Sequence, residues 1–177
     1  MELTPETREK IQNIELLVLD VDGVMTDGGI WLGEKEEFKR FNVKDGTGIK
    51  YLMRNHIQVA ILTGRESVAT SRRAEELGIR NCLQGMRKKL PAYLSLLEKL
   101  GKEEKAVAYM GDDLMDLPLF DRCGLRIAPA DAVREVIEQA HIVTKRAGGY
   151  GAVREAAEII LRIQGKWKSL VEGYLGP

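Results

Sequence analysis

Asp20 and Asp22 stand two residues apart directly after the apolar run LLVL, and Asp112 and Asp113 follow a second such run, AVAYM. Carboxylates this close repel one another and are costly to desolvate, so a positive partner is expected beside them. A divalent cation meets that need. Asp20 and Asp112 would give Mg²⁺ hard oxygen ligands, and its remaining positions would go to water and phosphate. Carboxylate, Mg²⁺ and phosphate together point to phosphoryl transfer, with Asp20 attacking phosphorus and carrying an aspartyl-phosphate. Two unit charges ~4 Å apart repel by about 4 kcal/mol at an effective dielectric near ~20. The cation, a lysine and hydroxyl or amide donors must offset that repulsion.

The remaining chemistry can be assigned from the same reasoning. In an extended segment Asp22 points to the same side as Asp20, where it can protonate the leaving alkoxide and then deprotonate the attacking water. Thr63 offers a hydroxyl and Gly64 an unobstructed amide to phosphate oxygens. Lys89 is the candidate positive side chain, with Arg87 and Lys88 as neighbours in QGMRKKL that could serve instead.

These residues need a scaffold that brings distant strand ends together. LLVL, IQVAILT and AVAYM read as strands buried on both faces, ending in Asp20, Thr63 and Gly111-Asp112-Asp113. IRNCL, GLRIA and AHIVT read as shorter strands. Between them lie helical stretches: a first helix capped by Thr4-Pro5, then GIKYLMRNH, ESVATSRRAEELG, KLPAYLSLLEKLG and YGAVREAAEIILRIQ, two of them stopped by Gly78 and Gly101. Strand and helix alternate, the pattern of a parallel α/β sheet with helices on both faces. Such sheets place their chemistry at the carboxyl ends of the strands. Residues 29–43 read as a β-hairpin inserted after the first strand, and GKWKSLVEGYLGP, residues 165–177, as a tail.

The chain has 177 residues, 44% hydrophobic and 31% charged, which fits one domain, 1–177, with a sizeable core. Basic and acidic residues balance at 27 each, so no general field favours nucleic acid or a membrane surface. No apolar run approaches a membrane span and the N-terminus is unlike a signal peptide. A cytoplasmic enzyme or binding protein is expected. Cys82 and Cys123 read as reduced, packed thiols.

DVDGVMT, ILTGR, a following lysine and GDDLMD resemble, in order and spacing, the haloacid dehalogenase-like superfamily of aspartate-nucleophile phosphatases. The resemblance runs from Asp20 to the last helix. It implies a Rossmann-like doubly wound sheet, with Asp20 as nucleophile and metal ligand, Asp22 as acid/base with its carbonyl on the metal, Asp112 as third metal contact, and Thr63 and Lys89 on the phosphate. Neither interval, Asp20 to Thr63 or Thr63 to Lys89, can hold a separate cap domain. The hairpin or a neighbouring subunit is then the natural cover, since hydrolytic sites work better shielded.

VMTDGGIW, FNVKDGTGIK, TGRES, GDDLMDLP and AGGYGAVRE are similar to the capless, tetrameric 3-deoxy-D-manno-octulosonate 8-phosphate phosphatase family. That resemblance implies hydrolysis of this sugar-acid phosphate in lipopolysaccharide precursor synthesis. It places substrate contacts at Asn42, Val43, Lys44, Asp45, Gly46, Lys50, Gly64, Arg65 and Arg73, beside Asp22 and Lys89. Lys50 matches a position often held by arginine, so it keeps the charge and loses the fork. Gly148–Gly151 and the tail resemble a C-terminal segment able to close over an adjacent subunit's site. Relatives acting on acylneuraminate 9-phosphates, and a non-catalytic phospho-acceptor or regulatory domain, are the alternatives.

Plainer roles compete at several positions. A calcium loop starting at Asp20 would have Met25 and Trp31 where glycine and glutamate belong. Asp113 and Asp116 read equally as supporting partners, helix N-terminal charges or ligands, and Asp27 and Asp45 as turn or loop residues. Arg65 could simply pair with Glu66 or Glu75. The mechanism needs neither His56 nor His141.

Overall fold

The structure, a computed structural model, describes residues 3–34 and 36–175. It contains a six-stranded, wholly parallel sheet formed by β1 (Leu16–Leu19), β4 (Gln58–Leu62), β5 (Asn81–Leu83), β6 (Val107–Met110), β7 (Leu125–Ala128) and β8 (Ile142–Val143). The order across it is β5-β4-β1-β6-β7-β8. From β1 the chain winds outward through β4 to β5, then returns to β6 on the other side of β1 and winds outward again. The switch point therefore lies between β1 and β6, where the crevice of a doubly wound sheet opens.

Although β1 reads as unbroken hydrocarbon, its side chains alternate between faces. Leu17 and Leu19 join a core with Ile49, Leu52, Val153 and Ile160. These come from helices α2 (Val43–Arg54) and α7 (Ala152–Ile163), beside α1 (Pro5–Gln12) and α3 (Val68–Leu77). Leu16 and Val18 face Tyr93, Leu97, Phe120 and Val136, from α4 (Lys89–Leu100), α5 (Leu117–Phe120) and α6 (Arg134–Gln139). Strands with two buried faces have no polar side, which is why they end abruptly where polar residues begin.

The inserted hairpin is smaller than the span 29–43 suggests. β2 (Trp31–Leu32) and β3 (Glu37–Phe38) pair antiparallel over two residues each. The helix expected from Gly48 starts earlier, at Val43, because the Asn42 side chain caps it by accepting from the Lys44 N–H at 2.8 Å. Asp45 thus lies in a helical turn, not a loop.

The expected tail is also corrected. Residues Trp167–Leu175 form a helix, α8. Trp167 packs edge-on to Tyr51 with 6.1 Å between ring centroids, and the Arg162 guanidinium lies 4.6 Å from its ring. Tyr174 accepts from Arg54 at 2.9 Å. Two aromatics seven residues apart fall on one helix face, and that face meets α2.

Candidate active site

Leu19 pairs with Ile61 and with Met110, so the residues after β1, β4 and β6 emerge side by side. Asp20 anchors to β6 by donating its N–H to the Met110 carbonyl at 3.0 Å. One carboxylate oxygen accepts from the Val21 N–H at 2.7 Å and the other from Lys89 Nζ at 2.6 Å. Asp20, Asp22, Gly23, Thr63, Gly64, Arg65, Asp112 and Asp113 line one cavity of about 290 Å³. Larger cavities exist elsewhere, yet this one holds the converging carboxylates.

Lys89 opens α4 and is buried, and among Arg87, Lys88 and Lys89 it is the last whose side chain pairs with Asp20. Its ammonium also donates to Asp116 Oδ1 at 2.6 Å. Burial works against the Lys89 charge, but Asp20 and Asp116 outweigh it and hold its pKa above the ordinary value.

Asp116 is wholly buried. Oδ1 also accepts from the Tyr109 hydroxyl at 2.7 Å, and Oδ2 accepts from the Asp112 and Asp113 N–H groups at 2.9 and 3.3 Å. With four donors on its two oxygens, Asp116 is a supporting hub that fixes Lys89 and the Asp112 backbone. Asp113 caps the short 3₁₀ turn Leu114–Asp116, accepting from the Leu114 N–H at 2.7 Å.

Asp20, Asp112 and Asp116 offer carboxylate oxygens that all lie within 4.8 Å of one another. Burial, reinforced by the charges of Asp20 and Asp116, pushes Asp112 up to about 8. Burial likewise raises Asp20, against the pull of Lys89, to about 6. One lysine is too little positive charge for two buried carboxylates and a half-buried third at neutral pH. Because Asp116 is fully engaged, Asp20 and Asp112 are the pair with capacity for a hard divalent ion. Gly23 makes room for this: at φ +81 it sits against the Asp112 carboxylate, where any Cβ would collide. The residues fit a magnesium ion.

Asp22 faces the cavity under a different hold. Lys39 Nζ donates to both its oxygens, at 2.6 and 2.9 Å, and Arg65 Nε lies 3.7 Å away. Arg65 donates to Glu37 at 2.9 Å, so the plainer alternative of a pair with Glu66 or Glu75 is not what forms. Lys39 and Glu37 were missed in sequence because GEKEEFKRF reads as a solvated charge run. The available signal was the strand period, which puts Glu37 and Lys39 on one face. Tyr109 was likewise hidden, as a hydroxyl inside an apolar strand.

The remaining expected contacts do not line this cavity. Arg73 donates to the Asn42 carbonyl at 3.2 Å and pairs with Glu76 at 2.8 Å. It lies across Gly46, where a Cβ would strike its guanidinium. Asp45 has a structural occupation: its oxygens accept from Gly151 and Arg154 N–H groups at 3.2 and 2.7 Å, tying α2 to the start of α7. Burial raises its pKa nonetheless. Asn42, Val43 and Lys44 border a separate groove with Lys145, Arg146 and Arg154. Lys50 is half-buried on α2, near enough to Glu76 to help hold that carboxyl's pKa down, behind Arg73. Asp27 is a turn residue, accepting from Gly29 N–H at 3.1 Å and from Arg40.

Comparisons with known proteins give the family. A family model described as haloacid dehalogenase-like hydrolase matches residues 83–155. The 3-deoxy-D-manno-octulosonate 8-phosphate phosphatase of Salmonella typhimurium is 47% identical over 93% of this chain and 88% of its own. A crystal structure of the phosphatase so named from Yersinia pestis superposes with a TM-score of 0.91 at 46% identity, covering 93% and 89% of the two chains. That of the Moraxella catarrhalis phosphatase, in complex with a magnesium ion, a phosphate ion and a KDO molecule, gives 0.93 at 38% identity, covering 96% and 98%. The chain belongs to the haloacid dehalogenase-like hydrolases, in the family of 3-deoxy-D-manno-octulosonate 8-phosphate phosphatases.

Proposed function

We propose that this chain is a magnesium-dependent phosphatase that hydrolyses 3-deoxy-D-manno-octulosonate 8-phosphate to the free sugar acid and inorganic phosphate. The carrying observation is the meeting of Asp20 and Asp112 at the switch point of the sheet, within 4.8 Å of each other and with Lys89 buried against Asp20. The Mg²⁺ and KDO bound by the Moraxella relative support both cofactor and substrate class.

The Asp20 oxygen attacks phosphorus as the bond to the sugar oxygen breaks, and Asp22 protonates that departing oxygen. Water, deprotonated by Asp22, then attacks the aspartyl-phosphate and frees Asp20. Lys89, the Thr63 hydroxyl and the Gly64 N–H hold the phosphate oxygens through both steps. The Asp20 and Asp112 carboxylates and the Asp22 carbonyl would hold magnesium, which would neutralise part of the phosphate charge.

The sugar acid carries a carboxylate away from its phosphate. Arg65 at the cavity mouth reads it first, with Arg73, Lys50 and the Asn42–Gly46 segment contributing beyond. Of these, Arg65, Val43 and Lys44 are exposed. The chain works as one domain without a separate cap, the 29–43 hairpin serving as a flap. Trp31, Leu32 and Phe38, all exposed on that hairpin, suit a homotetramer in which neighbouring subunits complete the cover. No described helix is long and apolar enough to cross a membrane. Cytoplasmic work in lipopolysaccharide precursor synthesis follows from the substrate.

A panel of phosphate esters with Mg²⁺ tests the reading. The eight-carbon 2-keto acid phosphate should be hydrolysed at least about tenfold faster (in kcat/KM) than nine-carbon acylneuraminate phosphates or hexose phosphates, a gap of ~1.4 kcal/mol. Chelation should abolish all turnover. A preference for the nine-carbon ester would move the assignment to the neighbouring substrate class, and no hydrolysis of any ester would end it.

A further inference from the structure

The hairpin places a lysine on Asp22 that the phosphatase chemistry above does not use. The Lys39 side chain is almost completely buried, 1% exposed, and both Asp22 oxygens accept from its ammonium. Its other anionic neighbour, Glu37, is 3.8 Å away and is drawn off by Arg65 at 2.9 Å. A buried ammonium is costly unless paired and hydrogen-bonded, and here nearly all its pairing is with Asp22. Asp22 has a second cation within reach, Arg65 at 3.7 Å. Which of the two it faces decides where its oxygens point.

The position of this network adds a second observation. Asp22 and Arg65 line the 290 Å³ catalytic cavity, whereas Glu37 and Lys39 line an adjoining groove of about 710 Å³ bounded by Phe38, Phe41 and α3. The four residues form the wall between these spaces. A substrate with its phosphate in the cavity and its long end outside passes this wall at the leaving oxygen.

We infer that Lys39 is a positioning residue that aims Asp22 at the leaving oxygen, tying acid catalysis to the pose of the hairpin. The inference rests on the phosphatase reading. In the transfer step the Asp20–phosphorus bond forms and the bond to the sugar oxygen breaks with its electron pair. That oxygen takes the proton from one Asp22 oxygen, and Lys39 stays hydrogen-bonded to the other. Without Lys39, Asp22 swings to Arg65 and its proton misses the oxygen.

The leaving group separates this role from a merely structural one. An aryl phosphate such as p-nitrophenyl phosphate expels a stable anion and needs little protonation, while a sugar phosphate expels an alkoxide. General acid catalysis contributes roughly 10²–10⁴-fold. Lys39→Met should therefore lower kcat/KM for the sugar phosphate by about 10–100-fold, and for the aryl ester by less than about threefold. Lys39→Arg, which keeps charge and donors, should recover a large part of the sugar-phosphate loss. Equal losses on both esters, no loss on either, or an arginine variant as impaired as methionine would overturn the inference. A wild-type enzyme that hydrolyses neither ester would instead overturn the phosphatase reading.

Discussion

Two lysine–carboxylate pairs meet at this site, and they are built in opposite ways. Lys89 and Asp20 form the floor, 0% and 9% exposed, with Asp116 and Tyr109 behind them. Lys39 and Asp22 form the wall, 1% and 21% exposed, with the lysine carried on a hairpin whose strands are two residues long. The floor draws on β1, α4 and β6, elements held by the main core. The wall hangs on ion pairs from Glu37, Lys39 and Arg40 to the catalytic loops. The floor is therefore rooted in the sheet, and the wall is carried by a hairpin held through side-chain ion pairs.

The sharpest way to break this contrast is at the floor. Asp116→Ala removes the acceptor of four hydrogen bonds, leaving Tyr109 and two backbone N–H groups without it and Lys89 with Asp20 and a long 3.4 Å bond to the Tyr109 hydroxyl. Breaking a buried charged network costs about 3–5 kcal/mol, so urea denaturation should show a loss of that size together with loss of turnover. A smaller cut, Tyr109→Phe, deletes one hydroxyl and leaves Asp116 three donors. It should cost about 1 kcal/mol with most activity kept. Equal effects from the two changes would deny that Asp116 is the hub.

The smallest effect on stability is expected at the wall. Trp31 is 68% exposed, and Trp31→Ser should shift unfolding by no more than ~0.5 kcal/mol. If the hairpin joins subunits, the same change lowers the mass seen by sedimentation. A large loss of stability from a hairpin substitution would mean that the hairpin belongs to the core after all.

The same division explains what could be read from sequence. Leu16–Leu19, Gln58–Leu62 and Val107–Met110 were legible because two buried faces demand continuous hydrocarbon, and the polar residues ending them marked the cavity rim. Asp20, Asp22, Thr63, Gly64, Arg65 and Asp112 follow from that rule, and all six line the cavity. The wall was not legible. Lys39 sits in a run of charges whose burial depends on the hairpin folding back over Asp22, a long-range event with no local signature. α8 was hidden for a similar reason: Gly165 just before it and Gly173 within it argue against helix, while its aromatics find their partners on α2, far away in the chain. Asp45 shows the limit of motif reasoning, since its carboxylate is engaged in joining α2 to α7.

The central claim, that Asp20 is the group phosphorylated, is open to direct chemical capture. Enzyme quenched during turnover of the sugar phosphate with Mg²⁺ is treated with borohydride, which reduces an acyl phosphate to the alcohol, and the modified residue is located by peptide mass spectrometry. The account predicts conversion at Asp20, absent without substrate and absent in a folded Asp20→Asn variant that releases no phosphate. Modification at another carboxylate, or continued phosphate release by Asp20→Asn, would contradict it.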